Sequence, residues 1–416
     1  MTDRLEEIWT QWRQRMERAS PRRRQVAGLI LVYLGVYLLV DAQAVKHSYL
    51  LIPRNNSNVA EAEALLDGHL ELTERAYDTA LFEGKAYNVF PPLLTLISAA
   101  VMSVVPAGVP NTVLIVLLLL PTPGLAYALF LRRTERVRMA VLLSWGYLLG
   151  TSLLPVMNLG LRNGEVWFVH HILAQIGLLI FLLDYFGRRR VWLGGIGLII
   201  AAWSRQLTAL YLIPLAWAAL AGYQTWSRRV RLVMLGLATI VLVALPATLN
   251  TLKFGSPLES GYRYLYEGRW DNPEDWAAQN AKRGLFSPVF LPQNLYYMNL
   301  GLPLPDSPLW LVRFVPNPYG TGIWWTTPLL LLLLVDWRRL WARQDIRYLL
   351  IGAAAVFAVL MLYHTTGRAQ HGYNRFSLDF IVVLLAAVAP GCDGPKRKWV
   401  TFAFVLWSIW YFRWAI

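Results

Sequence analysis

Apolar residues run along this chain in long blocks, separated by short basic clusters and by two extended polar stretches. A helix needs roughly 20 apolar residues to cross a bilayer core. On that scale the blocks predict spans at 25–42, 111–131, 139–156, 166–185, 191–204, 206–225, 232–249, 319–335, 348–363, 376–390 and 399–415. The pattern is that of an all-α polytopic membrane protein of about eleven transmembrane helices, with further helices lying along its outer face.

The basic clusters turn this list into a topology, because cytoplasmic flanks of spans are enriched in Lys and Arg. Arg22–Arg24, Arg132 to Arg138, Arg188–Arg190, Arg228 to Arg231, Arg338 to Arg347 and Lys396–Lys398 all lie inside if the spans between them come in pairs. Two stretches strain that rule. Between residues 89 and 131, Pro91, Pro92, Pro106 and Pro110 divide the apolar run, and the piece from Leu93 to Val105 makes only about 20 Å of helix. It is read as an interfacial or re-entrant helix on the outer face. Residues 191–226 are read as two short spans that turn near Arg205, which keeps Arg190 and Arg228 on the same side. Residues 1–24 then form a basic, amphipathic, cytoplasmic N-terminus, and 25–416 form one transmembrane domain with outer loops at 43–110 and 250–318.

Composition agrees with this reading. Hydrophobic residues make up 56% of the 416, and charged residues only 15%, against about 25% in a typical soluble domain. The net charge of +14 follows from the flanking clusters and gives no reason to expect nucleic acid. A single cysteine, Cys392, excludes an internal disulfide, and 19 tryptophans suit belts at the two membrane surfaces.

The first outer loop reads Ala64-Leu-Leu-Asp-Gly-His-Leu-Glu-Leu72, then Tyr77-Asp-Thr-Ala-Leu-Phe-Glu-Gly-Lys-Ala-Tyr-Asn-Val-Phe-Pro-Pro92. Its first part predicts a short helix with Ala60, Ala64 and Leu65 on one face and Asn58 as its cap. These residues, with GEVWFVHHILAQ at 164–175, AAWSRQLTALYLIPL at 201–215, KFGSPLESGY at 253–262, GLFSPVFLPQNLYY at 284–297 and GRAQHGYNRFSLDF at 367–380, resemble the GT-C membrane glycosyltransferases, especially bacterial proteins related to protein O-mannosyltransferases and lipid-A aminoarabinose transferases. The resemblance implies a GT-C-like helical bundle in a bacterial plasma membrane. It also implies an outer-face site that takes a sugar from a polyprenyl-phosphate or polyprenyl-diphosphate donor. No cofactor is required by it, although some members of the group use a divalent cation; the acceptor and the membrane lipids around the protein are its other partners.

The chemistry of such a transfer selects residue types. A phosphate leaving group calls for arginine, whose guanidinium makes bidentate contacts, and Arg205, Arg368 and Arg375 all fall near outer helix ends. Asp379, one turn beyond Arg375, is the natural ion-pair partner if that arginine is structural. An acceptor hydroxyl calls for a carboxylate base. In the family this acid lies soon after the first span, where the chain has Arg54-Asn55-Asn56-Ser57-Asn58. Asp78 takes its place here, with Glu61, Glu63 and Glu165 in reserve. Lys85, Tyr87, His171, Tyr262 and Asn56 complete the candidate binding set, and no metal-ligand spacing occurs. Two other readings stay open on the sequence: a transporter, and a fold relative that binds a lipid carrier without turnover.

Overall fold

A computed structural model of the chain describes residues 20–40, 56–73, 78–221, 226–305, 314–315, 317, 320–365 and 373–415, and all structural statements concern these. Most of them are helical, and two short antiparallel hairpins are the only strands among them. Ser20 accepts a hydrogen bond from Arg23 N and starts the first helix, Pro21–Leu39. Ser227 does the same for the longest, Arg228–Phe254, which ends on Gly255 at φ +73°, where a side chain is disfavoured. Four helices are long and apolar enough to cross a membrane: Asn111–Thr134, Val166–Tyr185, Arg228–Phe254 and Gln344–Leu362. The pair Val137–Leu148 and Leu153–Asn163, bent by 54°, makes a fifth if it is one broken span. Four or five full-length spans and several shorter apolar helices stand, among the described residues, where about eleven spans were expected, so that number is not reached by full-length helices.

The differences have local causes. The span expected at 139–156 stops at Leu148, and the chain resumes after Ser152 as a helix reaching Asn163. Gly150 sits in this break against the side chain of Ser408, and the Thr151 hydroxyl turns back onto Tyr147 O at 2.7 Å. The stretch 319–335 is divided into Ile323–Thr326, a 3₁₀ turn at Pro328–Leu330, and Leu331–Val335, with Pro328 unable to continue the helix before it. The span expected at 376–390 opens as a 3₁₀ turn, Arg375–Asp379, before Ile381–Val388. The pair expected around Arg205 is present as Trp192–Ala202 and, beyond the break, a 3₁₀ turn Gln206–Tyr211 leading into Leu212–Leu220. Leu93–Met102 forms the short helix expected there.

The helix Val166–Tyr185 is the axis of the bundle, with 83% of its apolar window buried. It crosses Trp192–Ala202 so closely that a Cβ on Gly177 would lie 2.5 Å from Gly197 O and Ala201 N. Small residues permit this approach, as in membrane helix pairs generally. Arg228–Phe254 is the opposite case, with only 11% of its window buried, and its apolar surface faces outward.

One end of the bundle collects the arginine clusters. Arg132 donates to Leu183 O, Arg189 faces Asp345, Arg136 pairs with Asp393 and Arg397 with Asp336. Gln25 O, just past Arg22–Arg24, accepts from Tyr127. Helices that start or finish there, including Val166–Tyr185 and Gln344–Leu362, have their other ends at Glu165 and Tyr363, roughly 28–30 Å away by helical rise.

Candidate functional site

At that far end the helix Trp192–Ala202 breaks, and Arg205 emerges from the break. Its Nε donates to Asp379 Oδ1 at 3.0 Å and its Nη2 to Asp379 Oδ2 at 2.8 Å, a bidentate pair in which the carboxylate is fully buried. Tyr211 donates to Asp379 O at 3.0 Å and ties the same two segments together. The pairing corrects the expectation from sequence: Asp379 serves Arg205, 174 residues away, and not Arg375. The reason is the 3₁₀ turn at Arg375–Asp379, where residues three apart eclipse and the fourth swings off the face.

Arg375 is left with aromatic neighbours. Its guanidinium lies 5.9 Å from the Trp167 ring centre and 5.5 Å from that of Phe376, whose ring Arg205 also faces at 5.1 Å. Among the described residues Arg375 makes no ion pair, and its buried Nε has no hydrogen-bond partner. Two carboxylates stand close enough to act on its charge. Burial pushes the Glu165 carboxyl above its ordinary range, with Arg375 pulling it down. Burial likewise raises Asp78, opposed by Arg269, whose Nη2 donates to Asp78 Oδ1 at 2.8 Å, and more weakly by Arg375. Asp78 is held at φ +56°, a left-handed conformation that Asp tolerates better than most residues.

Between Arg205 and the aromatic wall lies a cavity of about 120 Å³, lined by Trp167, His170, Arg205, Tyr262, Tyr363 and Phe376 among others. Part of its wall comes from the long polar stretch 250–318: Ser287 N donates to Leu362 O at 2.8 Å and His364 N to Leu285 O at 3.0 Å, which sets Phe286 against Tyr363. Burial pushes the Tyr262 and Tyr363 phenols up and Tyr373 up to about 12, so all three remain O–H donors at neutral pH. Burial takes His364 down to about 4 and keeps it neutral. His170 stacks on Phe90 at 5.5 Å, and neither of its ring nitrogens has a partner among the described residues. His171, buried beside it, sets its ring edge on Phe376 at 6.3 Å.

The structure thus brings together Asp78, Glu165, Arg205, Arg375, His171 and Tyr262. The other candidates lie elsewhere. Glu61 is buried in a separate network: its Oε2 accepts from Asn88 Nδ2 and Thr95 Oγ1, each at 2.6 Å, and Lys253 pairs with its Oε1. Glu63 is exposed on the other face of the helix Ser57–Leu66. That helix buries Ser57, Asn58, Val59, Glu61, Ala62 and Ala64; of the expected face Ala64 is buried and Ala60 and Leu65 are half-buried, and Asn56 rather than Asn58 is its cap, accepting from Asn58 N at 3.0 Å. Lys85 sits at the tip of the hairpin Thr79–Phe82/Lys85–Asn88, paired with Glu71 at 3.4 Å, and Tyr87 packs on Phe254 behind it. Arg368 and Asn55 lie outside the described residues. Sequence reasoning placed Trp167 only within a motif and Tyr363 only at the end of a predicted span, and did not single out Arg269; the Trp167-His170 spacing on one helix face was the signal available for the first.

No group of three His, Cys, Asp or Glu side chains converges among those described, and Asp78 and Glu165 are each faced by a guanidinium.

No family model and no curated relative matches the chain. Two solved structures are similar to it. The first is an apo oligosaccharyltransferase from Archaeoglobus fulgidus, at 16% identity and a TM-score of 0.45 over 94% of this chain and 54% of that one. The second is ArnT from Cupriavidus metallidurans bound to undecaprenyl phosphate, at 15% identity and a TM-score of 0.43 over 89% of this chain and 61% of that one. The chain therefore spans little more than half the length of either.

Proposed function

We propose that this chain is a membrane glycosyltransferase of the GT-C type, which moves a sugar from a polyprenyl-phosphate-linked donor to an acceptor hydroxyl. The observation that carries the reading is Arg375: a cation without an ion pair among the described residues, set against the aromatic wall of a cavity that Arg205 lines, with two carboxylates in raised-pKa settings beside it. A half-buried guanidinium whose Nε has no partner is costly unless an anion completes it. A phosphate leaving group is such an anion, and Tyr262 and Tyr363 supply further donors.

In this reading the acceptor oxygen attacks the anomeric carbon and the bond from that carbon to the phosphate oxygen breaks. The acceptor proton passes to Asp78 or Glu165, and the extra negative charge of the departing polyprenyl phosphate falls on Arg375 and Arg205. Asp379 fixes Arg205 in place without quenching Arg375. The cavity lies at the end of the bundle away from the arginine clusters, which supports an outer-face site by the positive-inside rule. The bond from Arg269 to Asp78 is the observation that favours a binding-only protein, since it occupies one oxygen of the candidate base.

Native mass spectrometry of gently extracted protein, followed by turnover with polyprenyl-phosphate sugars, separates these. A co-purifying polyprenyl phosphate, lost in Arg375→Ala together with about 100-fold or more of the turnover, is the expected result. Carrier bound without turnover, in protein of unchanged melting temperature, selects the binding-only reading. Neither carrier nor turnover overturns both.

A further inference from the structure

The ends of Val166–Tyr185 and Gln344–Leu362 that lie away from the transfer cavity frame a second, larger cleft of about 450 Å³, lined by Gly187, Arg189, Trp217, Gln344 and Asp345. Arg189 is held at φ +51° with its Nε on Tyr185 O at 3.0 Å, and its guanidinium lies 5.1 Å from the Trp217 ring centre. Asp345 is shared: Arg343 Nη2 donates to it at 2.9 Å and Arg189 Nη2 stands 3.8 Å off. Arg133 is near enough to feel the charges of both Arg343 and Asp345; its Nε is used on Ala386 O at 2.9 Å, while its buried Nη2 has no partner among the described residues. Asp184, the next carboxylate along, is spent on the backbone N–H groups of Arg190 and Gly194 and faces Arg190 and Arg132. Arg189 and Asp345 thus line the cleft, and among the described residues Asp345 also answers Arg343, which donates to it from behind, and Arg133, which feels its charge, beside a Trp217–Tyr348 stack at 5.6 Å.

We infer that this cleft is an anion site, distinct from the transfer cavity, which takes the phosphate of an anionic membrane-lipid headgroup. Arginine forks match phosphate oxygens two at a time, and basic pockets between helices at the inner membrane surface select anionic headgroups. The excess of arginine over carboxylate, the volume, and the amphipathic tryptophan at the rim suit a phosphodiester with its glycerol better than a bare ion. Arg343, about half exposed at 46%, is the residue through which the headgroup is reached from the aqueous side.

The test uses the full chain in detergent, with phosphatidylglycerol, phosphatidylcholine and inorganic phosphate as probes, read by native mass spectrometry and melting temperature. Phosphatidylglycerol is retained in preference to phosphatidylcholine, and Arg189→Gln or Arg343→Gln cuts that preference about tenfold, the loss of one charge-assisted hydrogen bond. Polyprenyl-phosphate retention is unchanged in both variants, whereas Arg375→Ala has the reverse effect. Arg343→Gln guards against misfolding, because its side chain is partly in solvent. Equal retention of the two lipids, or retention unaltered in Arg343→Gln, overturns the site. Stabilisation by inorganic phosphate equal to that by phosphatidylglycerol, and lost in the same variants, overturns the lipid assignment in favour of a soluble phosphate.

Discussion

The network around Glu61 and the pocket around Arg375 both hold charge among protein groups, Glu61 fully buried and Arg375 half-buried, and they do so on opposite terms. Glu61 has its carboxylate oxygens filled by Lys253, Asn88 and Thr95, and Lys253 also donates to Asn88 O at 3.0 Å. The atoms left over there, the Ser57 hydroxyl and the Asn58 amide, are neutral. Arg375 keeps its full charge among rings, and the nearest oppositely charged bond, Arg205 to Asp379, passes it by. A buried charge whose partners are complete holds elements together: here the helix Ser57–Leu66, the hairpin, Leu93–Met102 and the long helix Arg228–Phe254. A half-buried charge with no ion pair among the described residues is placed to meet a ligand. The contrast separates two sets of residues that the sequence presents alike, as acids and bases of the outer loops.

The largest expected effect concerns the carboxylates on the Arg375 side. Burial raises Asp78 and Glu165, so their proton-bound forms are favoured in the folded protein. Stability from such a group is present below its unfolded pKa and is lost as pH rises through the folded one, so near neutral pH each costs the fold something and is kept for another reason. A base must be deprotonated, and the acid limb of the turnover profile therefore lies above the usual carboxylate range. Replacing the base by its amide lowers turnover by about 100- to 10,000-fold and abolishes that limb. Asp78→Asn and Glu165→Gln are compared in one pH series, and the variant with the flat residual profile identifies the base. Loss of neither limb nor rate in both variants would remove the carboxylates from the mechanism.

On the other side of the comparison the expected loss is of stability. Removing one partner of a buried ion pair costs about 3–5 kcal/mol, whereas replacing both by apolar residues of similar volume is often neutral. Glu61→Ala is expected to lower the melting temperature sharply and to reduce turnover only in proportion to folded protein. Glu61→Leu with Lys253→Met recovers most of the loss. Glu61→Gln is the sharper variant: if it melts as wild type yet has lost turnover, Glu61 is itself catalytic and the contrast with Arg375 fails.

Much of this arrangement was legible in the chain. The placing of Arg205 followed from counting, since a 36-residue apolar run between two basic clusters has to turn near its middle. The short helix after Pro91-Pro92 and the axis helix at 166–185 followed from length and hydropathy. What stayed hidden was pairing over distance. Glu61 and Lys253 are 192 positions apart, Arg205 and Asp379 174, and no periodicity within a segment records either. The 3₁₀ geometry at Arg375–Asp379 is equally silent, because a sequence suited to an i,i+4 ion pair is also compatible with a tighter turn. The bend after Leu148 comes from a glycine packed against Ser408, a contact made by the far end of the chain. The buried side of the helix Ser57–Leu66 was read only in part, at Ala64, because it also buries a carboxylate and an asparagine, which a hydropathy argument assigns to solvent.

The smallest expected effect belongs to His170, and it tests whether the rule of missing partners extends from charged to neutral groups. His170 is 3% exposed, lines the cavity, and lacks a partner on either ring nitrogen among the described residues, although Phe90 packs on its face. Leaving such a ring unsatisfied costs about 1–3 kcal/mol, which a phenylalanine of similar shape does not incur. His170→Phe is therefore expected to melt at or above the wild-type temperature. If a sugar hydroxyl completes the imidazole in the working protein, the same variant raises KM about tenfold, the worth of one neutral hydrogen bond, with kcat nearly unchanged. A variant that gains stability and keeps its KM would make His170 a packing residue and confine the rule to charge. One that loses kcat with KM unchanged would mean that the imidazole acts on the transition state alone, and would place it beside Arg375 among the groups that meet the leaving phosphate.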